Sequence, residues 1–426
     1  MTIQDLYEIY LQHPSVQTDT RKLKKGDLFF ALKGPSFNGN EFAKQATEQG
    51  ASFAIIDEKQ FAIDGKTILV EDVLTTMQQL ARHHRNQFNI PFIAITGSNG
   101  KTTTKELIHT VLSGSYMTYT TEGNLNNHID VPLTLLKIRK EAQAAVIEMG
   151  ANHRGEIASY CEIALPTHGL ITNCGKAHLE GFGSEEGVKK AKGELFDHLR
   201  NNDGTAFIMN DYDYLKEMSK GIKKIISYGT HDAGITGIAE PGEQYLEVNF
   251  TKGFTSRIQT NLVGDYNLPN VLAAVAIGKY FDIPDDKIKS AIENYQPTNS
   301  RSQLVEKGKN KIILDAYNAN PSSMKAAIQN FSRNGNSNRI LALGAMAELG
   351  NASVEEHQSL IEEIQKFEWK EVLLVGGDFL RTNHNYHSFA TPSEAGEWIR
   401  TQHFENVTWL VKGSRSIQME KLLDYI

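Results

Sequence analysis

The stretch PFIAITGSNGKTTTKELIHTVL, residues 91–112, decides how this chain is read. It opens with a short apolar run behind a proline, passes through the turn GSNG, and continues as a helix-like segment. A strand, a glycine loop and a helix in that order place backbone N–H groups at a helix N-terminus, with the helix dipole behind them, facing an anion. Gly97 and Gly100 let the backbone come close to a phosphate. Lys101 can reach β- and γ-phosphates, and Thr102 can put its hydroxyl on Mg²⁺. Ser98, Asn99 and Thr103 complete the loop. The strict phosphate-loop spacing would place its first glycine at position 95, which is Ile95, so this is a shorter form beginning at Gly97. Nucleotide binding is the expectation.

Outward from the loop, the order repeats. AAVIEMG (144–150) and HGLITNCG (168–175) read as buried strands with helical patterns between and after them, which implies a mainly parallel sheet covered by helices. Residues 1–85 mix short apolar runs such as DLFFAL (27–32) with glycine turns and read as a small α/β domain. A polar break at QPTNSRSQ (296–303) precedes a further alternation, KIILDAY, RILALGAM, EVLLVGG and VTWLVKG. The fold class expected is therefore α/β with three domains: 1–85, a central 86–298 with a phosphate-loop-type sheet, and a Rossmann-like 299–426.

Composition narrows the function. The 426 residues carry a net charge of -7, which argues against a partner held by its phosphate backbone, so no nucleic acid is expected. No run reaches the ~18 apolar residues of a membrane span, and the opening MTIQDLYEIYLQ lacks the basic start and apolar stretch of a signal peptide. A cytoplasmic protein with no membrane partner is expected. Cys161 and Cys174 are the only cysteines, too few for a disulfide framework.

The short TGSNGKT loop resembles the ATP loop of the Mur ligase family. Further segments resemble the family in the same order along the whole chain: EGNLNNHIDVPLTLL (122–136), IEMGANHRGEI (147–157), AHLEGFGS (177–184), AKGELF (191–196), DAYNANPSS (315–323) and LVKGSR (410–415). Within the family they are most like the member that joins D-alanyl-D-alanine to UDP-N-acetylmuramoyl-tripeptide. What the resemblance implies is an ATP- and Mg²⁺-dependent carboxylate-amine ligase, a monomer, that makes an amide through an acyl phosphate in peptidoglycan precursor synthesis. A carboxylate is a poor electrophile because amine attack on it would have to expel oxide, and phosphorylation by ATP removes that obstacle.

The resemblance also implies roles for particular residues. Glu148, at the end of an apolar strand, and His178 become metal-site residues with Thr102, and Lys192 becomes a carbamylated lysine whose new carboxylate supports the magnesium. Read by residue type alone, His178 is a capping or core histidine and Lys192 a solvated helix lysine like Lys189 and Lys190. GDYNLPNVLAA (264–274) resembles the adenine-side motif, with Tyr266-Asn267 where the family has His-Asn, which leaves Asn267 and Asn270 as nucleotide residues. Arg301 and Asp315 would approach the phosphates and ribose; without the family they read as a surface arginine and a strand-end turn aspartate. Asn124, Asn126 and Asn127 are candidates to position substrate or to hold an irregular loop by Asx turns. DTRKLKKGDLFFALKGPSFNGNEF (19–42) resembles the UDP-sugar segment, with Thr20 and Arg21 for a pyrophosphate and Phe37, Asn38 and Gly39 for the uracil side. Asn40, where the family often has histidine, receives no role. Asn318, Asn320, Lys412, Ser414 and Arg415 are candidates for the peptide substrates, whose carboxylates need cationic or amide donors.

Overall fold

The computed structural model describes residues 1–240, 245–298, 300–333 and 338–426. Asn299, where the third domain was expected to open, lies outside the described residues. Three sheets organise the chain, all α/β as expected, and each is built mainly of parallel strands.

The central sheet has nine strands in the order Ile258–Gln259, Glu247–Lys252, Ile235–Glu240, Lys224–Gly229, Thr205–Met209, His168–Ile171, Phe92–Thr96, Ala144–Glu148, Thr118–Thr120. The first two junctions in that order are antiparallel and the other six parallel. The strands FIAIT, AAVIE and TAFIM are buried at every position. Continuous apolar runs of this kind belong to strands covered on both faces by helices, which is why they show no alternation. From Phe92–Thr96 the chain first crosses to the Thr118–Thr120 edge and later returns to His168–Ile171 on the opposite side. The loop after Phe92–Thr96 therefore sits at a topological switch point, where the crevice at the carboxyl ends of parallel strands accepts ligands.

The first unit is a four-stranded parallel sheet, Val16–Gln17, Leu28–Phe30, Phe53–Ile56 and Thr67–Leu69. It shares one apolar core with the central unit. Polar clasps reinforce that junction. Tyr10 donates its hydroxyl to Leu136 O at 2.5 Å, Arg139 Nη2 donates to Pro14 O at 2.5 Å, and Arg85 reaches Ala164 O and Leu165 O at 2.8 Å each.

The third unit has six strands in the order Gln303–Lys307, Asn310–Asp315, Thr408–Lys412, Arg339–Gly344, Glu371–Val375, His387–Phe389. Only the first pairing is antiparallel. Asp315 and Lys412 end neighbouring strands in register, so both reach the carboxyl edge that faces the central unit. Among the described residues, no helix is long and apolar enough to cross a membrane.

Candidate active site

A cleft of about 1060 Å³ opens between the carboxyl edges of the central and third sheets. Its size lies at the upper end of the range of small-molecule pockets. The phosphate loop forms its floor. Gly97 adopts φ 142°, and a Cβ there would lie 2.0 Å from Thr172 Oγ1. Gly100, φ 79°, caps the helix Lys101–Ser113 from the left-handed region, and a Cβ there would lie 2.6 Å from Asn270 Oδ1. Both positions therefore exclude a side chain on conformational and on steric grounds. Ser98 donates its hydroxyl to Gly175 O at 2.9 Å, and Asn173 Oδ1 accepts from Asn99 N at 3.1 Å. Lys101 curls back over the loop, with Nζ 2.8 Å from Gly97 O. Burial pushes its amine below the ordinary lysine value.

Glu148, the last residue of its strand, is 1% exposed. Its Oε1 accepts from Thr102 Oγ1 at 3.1 Å and from Asn126 Nδ2 at 2.7 Å. Its Oε2 is buried without a protein partner. A buried carboxylate oxygen left unpaired beside a phosphate-loop threonine is a donor set that magnesium fits, because this hard cation takes oxygen ligands and completes its shell with phosphates and water. Among the described residues no three His, Cys, Asp or Glu side chains gather into a metal cluster. His178 lines the cleft nearby, with Nδ1 2.6 Å from the Glu348 carboxylate of the third unit. His178 and, further off, Lys101 hold the Glu348 carboxyl below the usual range.

Lys192 is not a solvated helix lysine. It is 1% exposed within the helix Glu185–Asn201, whereas Lys190 is exposed and Lys189 is half-buried. Its Nζ donates to Ala151 O at 3.3 Å and stands 5.1 Å from the Phe182 ring centre. Burial, with the Lys101 charge adding to it, pushes its amine down to about 7.

Beside the loop Asn270 links two elements, accepting from Thr104 Oγ1 at 3.0 Å and donating to Asn267 Oδ1 at 2.9 Å. Tyr266, at the departure from the family pair, is half-buried with its hydroxyl 2.9 Å from Ser302 Oγ. Across the cleft, Lys412 Nζ donates to Asp315 Oδ2 at 2.6 Å and to Asn318 O at 3.3 Å. Arg301 stacks on the Tyr317 ring at 3.5 Å, and Arg415 lies 5.5 Å from the same ring. Arg301 Nε is buried without a partner. Asn320 Nδ2 donates to Asn99 Oδ1 at 2.7 Å and so bridges the third unit to the phosphate loop. Ser414 behaves differently: its buried hydroxyl donates to Ala345 O and does not line the cleft.

Asn124, Asn126 and Asn127 line the cleft on the central side. Asn127 Oδ1 also accepts from Ile129 N and Asp130 N, so it holds its own loop as an Asx turn would. Lys105, which the motif reading passed over, is buried and donates to Thr121 O at 2.7 Å and Gly123 O at 2.9 Å, fixing the loop that carries the asparagines.

The first unit's candidates stand apart from this cleft. Arg21 is 88% exposed in its side chain and forks onto Asp19, with Nε to Oδ1 at 2.9 Å and Nη2 to Oδ2 at 2.8 Å. Thr20 begins the same short turn. Phe37 is 55% exposed, in a two-residue ladder with Lys33–Gly34. Gly39 N donates to Leu32 O at 2.9 Å, and a Cβ at Gly39 would strike that carbonyl. Asn38 Nδ2 reaches Glu58 Oε1 at 3.0 Å. Asn40 is fully buried and bonded to Asn38 and Asp57.

Fold and cleft together define a three-unit enzyme whose phosphate loop is faced by cations from a separate Rossmann-like unit. Three family models match in sequence: the Mur ligase family catalytic domain over residues 14–85, the Mur ligase middle domain over 95–278, and the Mur ligase glutamate ligase domain over 300–419. The chain belongs to the Mur ligase family, which is made of ATP-dependent amide ligases. It is 36% identical over 430 residues to the UDP-N-acetylmuramoyl-tripeptide--D-alanyl-D-alanine ligase of Escherichia coli (strain K12), covering 96% of this chain and 92% of that one. The enzyme of the same name from Bacillus subtilis (strain 168) is 38% identical over 358 residues, 83% of this chain and 77% of that one. The crystal structure of MurF from Acinetobacter baumannii matches with a TM-score of 0.89 at 31% identity, covering 99% and 98% of the two chains. MurF ligase from Thermotoga maritima, solved in complex with ADP, matches with a TM-score of 0.88 at 25% identity over 97% of each chain.

Proposed function

We propose that this chain joins D-alanyl-D-alanine to UDP-N-acetylmuramoyl-tripeptide in the cytoplasm, using ATP, as a step of peptidoglycan precursor synthesis. The observation that carries the reading is the convergence, in one cleft, of the phosphate loop and Glu148 with Arg301, Lys412 and Arg415 of the third unit. An oxygen of the tripeptide carboxylate attacks the γ-phosphorus, the bond to the bridging oxygen of ADP breaks, and an acyl phosphate forms. The dipeptide amine then attacks the acyl carbon, loses a proton, and expels inorganic phosphate as the amide forms. Lys101 and the loop N–H groups bind the phosphates and meet the charge that develops in transfer. Arg301 adds a second cation from the opposite wall. Asn267 and Asn270 seat the base side, Asp315 the ribose, and Lys412, Arg415, Asn318 and Asn320 the peptide carboxylates and amides. Thr20, Arg21, Phe37, Asn38 and Gly39 take the UDP end.

Thr102, Glu148 and His178 would hold magnesium, which when bound supplies positive charge at the transferring phosphoryl group. Lys192 is the fourth member of this set, as a carbamate. A buried amine near neutral attacks CO₂, forming an N–C bond and releasing a proton, and the resulting carboxylate has the hard oxygens that magnesium prefers. Its burial and its low amine pKa of about 7 support this modification.

A phosphate-release assay with a panel of UDP-muramoyl peptides and amines tests the reading. Release is expected only with ATP, the UDP-linked tripeptide and D-alanyl-D-alanine together. Equal release with no acceptor would make the chain a simple nucleotide hydrolase, and preference for a single amino acid would assign it to another branch of the family.

A further inference from the structure

Glu348 stands where the third unit meets the nucleotide end of the cleft, and no role has been given to it above. It lies in the turn after the strand Arg339–Gly344 with φ 61°, a left-handed backbone that residues with side chains seldom adopt. Across the interface His178, φ 50°, lies in the same region. Such conformations persist only where their surroundings enforce them, and they gather at functional sites. Both turns are tied. Met346 N donates to His357 Nε2 at 3.0 Å, and Glu180 N donates to Glu348 O at 3.3 Å. The outcome is a Glu348 carboxylate oxygen 2.6 Å from His178 Nδ1.

Simple docking of the two units is served elsewhere. Lys176 of the central unit pairs with Glu356 of the third at 2.6 Å. The Glu348 carboxylate occupies the Nδ1 side of the ring, which leaves the Nε2 side for a ligand. Because the ring and the carboxylate come from different units, the ring is set only while the units are docked.

We infer that Glu348 is a positioning residue for the ligation reaction: it fixes the orientation of the His178 ring and so makes the nucleotide site complete only when the third unit is seated on it. This rests on the magnesium role proposed for His178. The test compares the parent enzyme with Glu348→Gln, His178→Asn, the double variant and Glu356→Gln. It reads kcat, KM for the UDP substrate, and calorimetric ADP affinity with and without magnesium. Glu348→Gln is expected to lower kcat by about 10-fold or more and to weaken the magnesium-dependent part of ADP affinity, with KM for the UDP substrate within about twofold. The double variant should be no slower than His178→Asn alone, since the two residues act as one. Glu356→Gln should stay near the parent. Losses that multiply in the double variant, or an equal loss from Glu356→Gln, would overturn the inference and leave Glu348 a docking contact. Should the parent prefer a different amine, the same cycle is run with that amine, so an error in the substrate is separable from an error about Glu348.

Discussion

The phosphate-loop end of the cleft and the end of the first unit proposed to take UDP are built in opposite ways. At the phosphate end Thr102, Glu148 and Lys192 are each 2% exposed or less, and the loop is hydrogen-bonded to Asn173 and Asn320 with Asn270 packed against Gly100. At the first unit's end Arg21 and Phe37 project into solvent, with Arg21 paired to its neighbour Asp19. The contrast follows the chemistry assigned to each end. Phosphoryl transfer depends on donors fixed before the charge develops, in a site from which water is excluded. Holding a nucleotide sugar requires affinity alone, which a surface fork of guanidinium on pyrophosphate can supply. Changes at the first end should therefore act on turnover and changes at the second on binding.

The largest effect is expected from Lys101→Ala, which removes a cation from the transferring phosphate and should lower kcat by about 10²–10³-fold, with the UDP substrate still bound. Normal turnover by the folded variant would break the assignment of the loop. Lys192→Ala comes next: nearly inactive, folded as judged by unchanged UDP-substrate binding, and partly restored by acetate or formate, which can occupy the vacated space as a substitute anion. Lys189→Ala and Lys190→Ala should match the parent. Similar activity in all three variants would refute the carbamate. The smallest effect belongs to the exposed end, where Arg21→Ala is expected to raise KM for the UDP substrate about 10-fold with kcat unchanged, the loss of one or two charge-assisted hydrogen bonds. A kcat effect with unchanged KM would erase the distinction between the two ends.

The same contrast explains what was legible in the sequence. The phosphate loop could be read because its parts are consecutive: a buried strand, two glycines with conformational reasons to be glycines, and a helix start. Glu148 could be read because an acid that ends an apolar strand points at the carboxyl edge. The three-unit α/β fold followed from strand runs and polar breaks. Lys192 could not be told from Lys189 and Lys190 by residue type, since the helix face it presents to the core depends on Phe182 and Ala151, brought there by other elements. Glu348 and Lys105 escaped because their partners are remote or are backbone carbonyls, which carry no residue signature. Ser414 shows the converse, a polar residue in a motif whose hydroxyl is spent on Ala345 O.

The most direct test of the account follows the oxygen. With ATP, D-alanyl-D-alanine and UDP-N-acetylmuramoyl-tripeptide bearing ¹⁸O in the carboxylate that becomes the amide, an acyl phosphate requires one labelled oxygen to leave in the inorganic phosphate released. Phosphate carrying one ¹⁸O per turnover is the expected result. Unlabelled phosphate, formed with the amide or without it, would contradict carboxylate activation at this cleft.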